Sequence, residues 1–445
     1  MVRAILSIIL SFAILPFVSA QTEKADRRSP PDSSKPNSIN ISAEFRFRTE
    51  YRHGYRTLFP KNSDDTTAAF FNAQRTRLNI GYSNRKIDVY FSLQDVRVWG
   101  EQNQRVGRNV PLYLYEGYVE PHFNSDFSVR IGRQKISYDN QRLFSHNDWR
   151  NAGSSYDAVR LIYSKSKLSN EFSAAFNQSG ENYYNTVYKP SGFVEFKVLA
   201  VHYLRWNPSK LFQITTLNAA DGYQSSKSKE ANTTFMRYTS GGRVEVFKGR
   251  WYFTTAGYYQ YGTDSSGIKL SAWYLQPEIK FEKGPVSVKA GAEILSGTDV
   301  KSQNDHSFVT LYGSAHRFNG NLDLFTSFPK DLDNAGLVNP YLGLAYRVKK
   351  WTVNLDNHGF FSQKDFYDAN SVKMNRYLGF ETDARINYKA NDYTNIEFGG
   401  AIAFGTESMA VMKYPSNTNP GYYSLKPYFA YFSLQLKPSL LQFKF

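Results

Sequence analysis

Ala43-Glu44-Phe45-Arg46-Phe47-Arg48-Thr49-Glu50-Tyr51-Arg52 alternates without a break. Ala43, Phe45, Phe47, Thr49 and Tyr51 share one face of an extended chain, and Glu44, Arg46, Arg48, Glu50 and Arg52 share the other. Strict alternation is the mark of a strand with two different surroundings. A row of charged side chains cannot face lipid, where a basic residue at the midplane costs about 2–4 kcal/mol. These residues must therefore meet water while their neighbours meet something apolar.

The pattern recurs along the chain. Ile87, Val89, Phe91 and Leu93 oppose Asp88, Tyr90, Ser92 and Gln94. Trp273, Leu275, Pro277, Ile279 and Phe281 oppose Tyr274, Gln276, Glu278, Lys280 and Glu282. Leu378, Phe380, Thr382, Ala384, Ile386 and Tyr388 oppose Gly379, Glu381, Asp383, Arg385 and Asn387. Strands of this length and number suit a closed barrel better than a sandwich, which hides one apolar face of each sheet in a shared core. Tight turns are expected near Asn84-Arg85, His122 to Ser125, Ser166-Lys167, Asn207 to Ser209, Lys248-Gly249, Lys283-Gly284, Lys349-Lys350 and Ala390 to Asp392. Long connections are expected near 53–70, 99–111, 138–155, 180–191, 220–232, 262–270, 298–337, 363–374 and 406–423. Short periplasmic turns alternating with long outer loops are the habit of bacterial outer-membrane barrels. The spacing predicts an all-β, transmembrane antiparallel β-barrel of about 18 strands. Residues 298–337 leave a choice. Phe308 to Leu311 and Leu322 to Phe325 would make an extra hairpin and about 20 strands, whereas the preferred reading is a long loop folded into the mouth.

The ends agree with export. Residues 1–20 have the parts of a secretory signal: Arg3, an apolar run from Ala4 to Val18, and Val18-Ser19-Ala20 before Gln21. Residues 21–40, rich in Ser, Pro and charge, read as a flexible periplasmic leader, and residues 41–445 as the barrel. The closing segment Tyr428 to Lys437 alternates again, and the chain ends on the aromatic Phe445. This last strand is the expected contact with the barrel-assembly machinery. The 445 residues contain no Cys, which excludes a lipoprotein anchor, disulfides and Cys-based metal or catalytic sites. Mean hydropathy is −0.51, yet 16% of residues are aromatic. A barrel reconciles the two, because only alternate residues face lipid and Tyr, Phe and Trp form girdles at both interfaces. The net charge of +15, less Arg3 of the signal, leaves about +14. On an exported barrel this charge points to anions in a pore or to acidic lipopolysaccharide rather than to nucleic acid.

Alternation places Arg46, Arg48, Arg52, Arg75, Arg77, Arg160, Arg237, Arg243, Lys280, Lys289 and Arg385 in the lumen. The guanidinium fork pairs carboxylates through two hydrogen bonds and stays charged, so a ladder of such groups would pass an anionic chain along. Glu44, Glu50, Asp88, Glu245, Glu278, Glu282, Glu293, Glu381, Asp383 and Glu397 fall inward by the same rule, and many Arg–Glu pairs would simply brace the wall. Trp149, in Asp148-Trp149-Arg150-Asn151, would either stack on a sugar or anchor its loop. The seven His are scattered, with no HExxH, Gly-x-Ser-x-Gly elbow or phosphate loop, so neither catalytic residues nor a metal or cofactor are expected.

Several segments resemble the alginate export family of outer-membrane proteins. The clearest runs from Arg130-Ile131-Gly132-Arg133-Gln134 through Ser137-Tyr138, Gln141-Arg142-Leu143 and Asp148-Trp149-Arg150-Asn151 to Tyr156-Asp157-Ala158-Val159-Arg160-Leu161. Gln74 to Leu78, Gln94 to Gly100, His316-Arg317-Phe318 with Gly320 and Asp323, and Gly379 to Asp383 are similar to further family segments in the same order. The resemblance implies an 18-stranded barrel that passes an acidic polysaccharide through an arginine-rich lumen. It raises Arg75, Arg77, Arg130, Arg133 and Arg160 as substrate contacts, although alternation puts Arg133 opposite Arg130 unless a bulge intervenes. The expected function is an outer-membrane channel for anionic solutes. The alternatives are a general diffusion porin, or an outer-membrane adhesin or enzyme. Expected partners are outer-membrane lipids, lipopolysaccharide and an anionic saccharide.

Overall fold

The structure is a computed structural model that describes residues 36–60, 67–101, 112–178, 180–181, 183–184, 196–224, 233–416 and 423–445. The signal and most of the leader lie outside the described residues. The first strand begins at Ser38, ahead of the expected boundary at 41.

The strands of the first half are β1 (Ser38–His53), β2 (Ala69–Ser83), β3 (Ile87–Val98), β4 (Tyr113–Pro121), β5 (Phe127–Gln134), β6 (Tyr156–Lys165), β7 (Leu168–Phe176), β8 (Val198–Ser209) and β9 (Phe212–Gln224). Those of the second half are β10 (Thr234–Lys248), β11 (Trp251–Thr263), β12 (Lys269–Lys283), β13 (Val286–Leu295), β14 (Leu337–Val348), β15 (Trp351–Ser362), β16 (Tyr377–Lys389), β17 (Thr394–Gly405) and β18 (Tyr428–Leu436). Each pairs antiparallel with the next, and β18 pairs with β1 from Phe45↔Leu436 to His53↔Tyr428. This closes an 18-strand barrel with no free sheet edge. Past Pro438 the chain resumes as Ser439–Lys444 against the start of β1, with the register shifted at Ile41/Ser42.

Alternation sets the two faces as the sequence predicts. On β1, Glu44, Arg46, Arg48 and Glu50 are buried inside. Outward side chains such as Phe91, Leu275, Leu344, Val353 and Phe398 are exposed on the lipid side. Turns and long connections alternate where expected, with one shift: β8 runs through Ser209, so the turn predicted at Asn207 to Ser209 falls at Lys210-Leu211. Leu211 N–H cannot pair across so tight a turn and donates instead to the Ser209 hydroxyl at 3.1 Å.

The apolar core sits within the barrel mouth, not between layers. Several outer connections fold inward to make it, three of them above all. The β5–β6 connection brings Ile136, Leu143 and Phe144, and the β13–β14 connection brings Phe308, Leu322, Leu324, Phe325 and Leu332. The β17–β18 connection carries helix α1 (Glu407–Lys413), capped by the Thr406 hydroxyl accepting from Met409 N–H, with Met409 to Met412 buried. Residues 298–337 are thus a lumen-folded loop, and no hairpin forms between Phe308–Leu311 and Leu322–Phe325. The first two connections are joined by main-chain bonds: Ser145 N–H to Tyr312 O at 3.1 Å and Tyr312 N–H to Leu143 O at 2.9 Å.

Candidate functional site

The inward loops narrow the lumen to a cavity of about 670 Å³. That lies in the range of about 300–1,000 Å³ typical of small-ligand sites. Its lining is mixed in charge and rich in amides. Arg48, Arg243, Lys289 and Arg385 face Glu278, Asp356, Asp383 and Glu397, with Asn140, Gln276, Asn339 and Gln435 between them.

Most sequence-predicted arginines are engaged by the protein itself. Arg46 donates to the carbonyls of Trp149 (3.3 Å) and Arg150 (3.1 Å), to the Asn151 amide oxygen (2.8 Å) and to Asp148 O. Arg48 bonds Glu50 Oε1 and Trp149 O, each at 2.7 Å. Arg75, with a fully buried side chain, pairs Glu44 and also reaches Asp148 Oδ1 at 2.8 Å. Arg77 donates to Gln94 and lies 3.8 Å from the Tyr115 ring centroid. Arg46, Arg48 and Arg75 therefore hold the 148–151 turn inside the barrel, and Arg77 approaches Asp148 Oδ1 at 3.8 Å. Burial would raise the Asp148 carboxyl, but Arg75 and Arg46 outweigh it and hold the group well below the usual carboxylate range.

The others are braced within the wall. Arg130 pairs Glu120 at 2.7 Å, Arg237 pairs Asp221 at 2.6 Å and Arg243 pairs Glu245 at 2.7 Å. Arg160 donates to Lys135 O at 2.5 Å and lies 3.7 Å from Glu171. Arg385 differs. It is exposed to the cavity and has no ion-pair partner among the described residues. Arg133 does not share the lumen. No bulge intervenes in β5: Arg130 and Gln134 point in, and Arg133 points out to Asp157 at 2.6 Å.

Trp149 is placed as an anchor. His316 stacks on its indole at 3.6 Å and 9°, and the Arg48 guanidinium lies 3.9 Å over the ring. Both faces are covered, which removes the indole as an open sugar platform. Its Nε1–H donates to the Tyr55 hydroxyl at 3.1 Å, and Tyr55 donates in turn to Asp323. Sequence reasoning missed this linkage of three loops. It also missed the Arg142–Glu293 pair (2.7 Å, both side chains buried), which pins the β5–β6 connection to β13. The residue types were visible, but nothing local in the sequence pairs positions so far apart.

The sequence profile described as alginate export matches residues 37–405. The chain belongs to the alginate export family. No curated protein sequence matches it. Among solved structures, Acinetobacter baumannii OccAB1 is similar with a TM-score of 0.58 at 11% identity, covering 91% of this chain and 97% of that one. Pseudomonas aeruginosa OccK9 (OpdG) gives 0.60 at 12% identity, with 90% and 98% covered. The outer membrane protein OpdK of the same organism gives 0.59 at 10% identity, with 91% and 99% covered. Identities this low speak for the barrel alone. Family and fold together make this alginate export family member a transport channel of the bacterial outer membrane, not an enzyme.

Proposed function

We propose that this channel passes anionic solutes, and in particular acidic saccharides of the alginate type as short oligomers. The observation that carries the reading is Arg385, exposed to a cavity of mixed charge rich in amides and without an ion-pair partner among the described residues. A carboxylate on a sugar ring matches the guanidinium fork, and the amides match the ring hydroxyls. Lys289 and Arg243 extend the basic side of the cavity, although Asp356 and Glu245 share their charge. One guanidinium open to the cavity among balanced charges favours entry without tight capture, as conduction requires.

A planar-bilayer recording tests this. The reversal potential in a salt gradient is expected to show anion preference that weakens as salt rises. Alginate oligomers added to one side are expected to block the current. A cation-preferring pore overturns the reading. A second reading, a general diffusion porin, draws on the fact that most lumen arginines already have carboxylate partners. An anion-preferring pore indifferent to the oligomers favours it.

A further inference from the structure

Eight tight turns join the strands at the periplasmic end of the barrel. Seven of them carry at least one exposed Lys or Arg in the turn or within two residues of it, twelve in all. The exposed acids in the same positions are Glu282 and Asp392, which leaves the surface of this rim at +10 (12 − 2). The half-buried acids beside the turns are engaged, Asp88 by His122 at 3.0 Å and Asp126 by Lys165 at 3.3 Å. The whole chain carries +15, so most of its excess charge is gathered at one end.

We propose that this ring seats the anionic headgroups of phospholipids in the periplasmic leaflet. The proposal rests on the barrel's place in the membrane and not on the solute it passes. Three observations favour lipid over a passing anion. First, none of the twelve cations lines the central cavity. Second, Lys248 and Lys283 close β10 and β12 on the lipid side, because the residues before them, Phe247 and Glu282, follow Glu245 and Lys280 on the lumen side. Third, exposed apolar side chains stand next to the cations on the outer wall: Leu211 follows Lys210, Trp251 follows Arg250 and Trp351 follows Lys350. Trp251 packs on Phe281 at 4.7 Å and Trp351 on Tyr388 at 4.4 Å across neighbouring strands. Tryptophans in such a girdle mark the headgroup level of a bilayer. A cation one residue beyond reaches the phosphate layer while its stem lies along apolar wall.

The outer end is built differently. There Arg133 pairs Asp157 at 2.6 Å, and Lys373 and Arg376 pair Asp365 at 2.6 and 2.7 Å. At the periplasmic rim, Lys86, Lys210, Lys248, Arg250, Lys283 and Lys349 have no ion-pair partner among the described residues. Like charges gathered without partners repel one another, and a layer of phosphates offsets that repulsion. Lipopolysaccharide occupies the other leaflet, so it does not meet this ring.

The test is electron spin resonance of spin-labelled lipids around the channel reconstituted in phosphatidylcholine vesicles, with phosphatidylglycerol compared against phosphatidylethanolamine. Wild type is expected to prefer phosphatidylglycerol by up to about fivefold at low salt, the factor for one headgroup on one cation. The preference should weaken as salt rises. A variant with Lys210, Lys248, Arg250, Lys283, Lys349 and Lys350 all changed to Gln should lose about half of that excess, since half of the twelve cations are gone. The control Lys373→Gln/Arg376→Gln removes two exposed cations from the outer end and should keep the full preference. Equal association of the two lipids with wild type, an unchanged preference in the sixfold variant, or the same loss in the control overturns the proposal. Alginate oligomers that bind wild type and not the sixfold variant, with the two lipids held equally, overturn it in favour of the passing solute. Heat-modifiable mobility in detergent gels verifies that each variant is folded.

Discussion

Trp149 and His316 lie 3.6 Å apart with their rings 9° from parallel, although 167 residues separate them (316 − 149). Each belongs to a different inward loop, so the stack ties the two walls of the constriction together. Arg48 on the other face of Trp149 fixes the stack to β1. Stacking contributes about 0.5–1.5 kcal/mol and a desolvated cation–π contact up to about 2 kcal/mol. Trp149→Ala is expected to loosen both loops while the barrel stays closed. Single-channel traces should gain frequent substates, and a double-mutant cycle with His316→Ala should give a coupling of about 1 kcal/mol in thermal stability. Additive effects would place the loops' anchorage elsewhere.

Arg75 is the residue whose loss should cost most. It holds Glu44 on one side and Asp148 on the other, with its own side chain fully buried. Breaking a fully buried pair costs about 3–5 kcal/mol; Arg77 and Lys437 stay near Glu44 and Arg46 near Asp148, so the loss should fall at or below the lower end of that range. Arg75→Ala is expected to lower the unfolding temperature in detergent clearly, and Arg75→Lys to rescue it only in part, because an ammonium cannot bridge two carboxylates in the same plane.

The pH response of this clamp has a definite sign. The Asp148 carboxyl is held below its unfolded value of about 3.9. A depressed carboxylate contributes stability that is fully present above the unfolded value and is lost only as pH falls through the folded one. The stability gap between wild type and Asp148→Asn should therefore be constant from about pH 7 down to about pH 5 and shrink only in stronger acid. Thermal unfolding of the two proteins across that range measures it.

Why the strands were legible and the clamp was not has one physical cause. Lipid outside and water inside impose a two-residue period on every strand, so Glu44 to Arg52 declare their faces without help from the rest of the chain. The same period correctly put Arg133 outside, against the family-based expectation that it lines the lumen. A lumen residue's partner obeys no such period. Arg46 is held by the carbonyls of 148–150, and a carbonyl carries no trace in the residue type. Arg75 and Asp148 are 73 residues apart and meet only because one loop folds inward. The alternation therefore sets which face each arginine takes, but not which partner it meets, which depends on where the loops go.

Arg385 is the predicted lumen arginine without an ion-pair partner among the described residues, whereas Arg130, Arg237 and Arg243 each face a carboxylate at 2.6–2.7 Å. A neutralised charge projects little field into the pore, while an open one in a narrow, low-dielectric lumen attracts anions. Arg385→Glu should reverse or abolish anion preference, seen as a shift of the reversal potential in a salt gradient, with the largest effect at low salt. Arg133→Ala should leave the reversal potential unchanged, since its charge lies on the outer wall beside Asp157. Arg130→Gln should act mainly on stability, by removing the ion-pair partner of the buried Glu120. An equal shift from Arg385→Glu and Arg133→Ala would mean that the whole molecule's charge, and not the cavity, sets the preference.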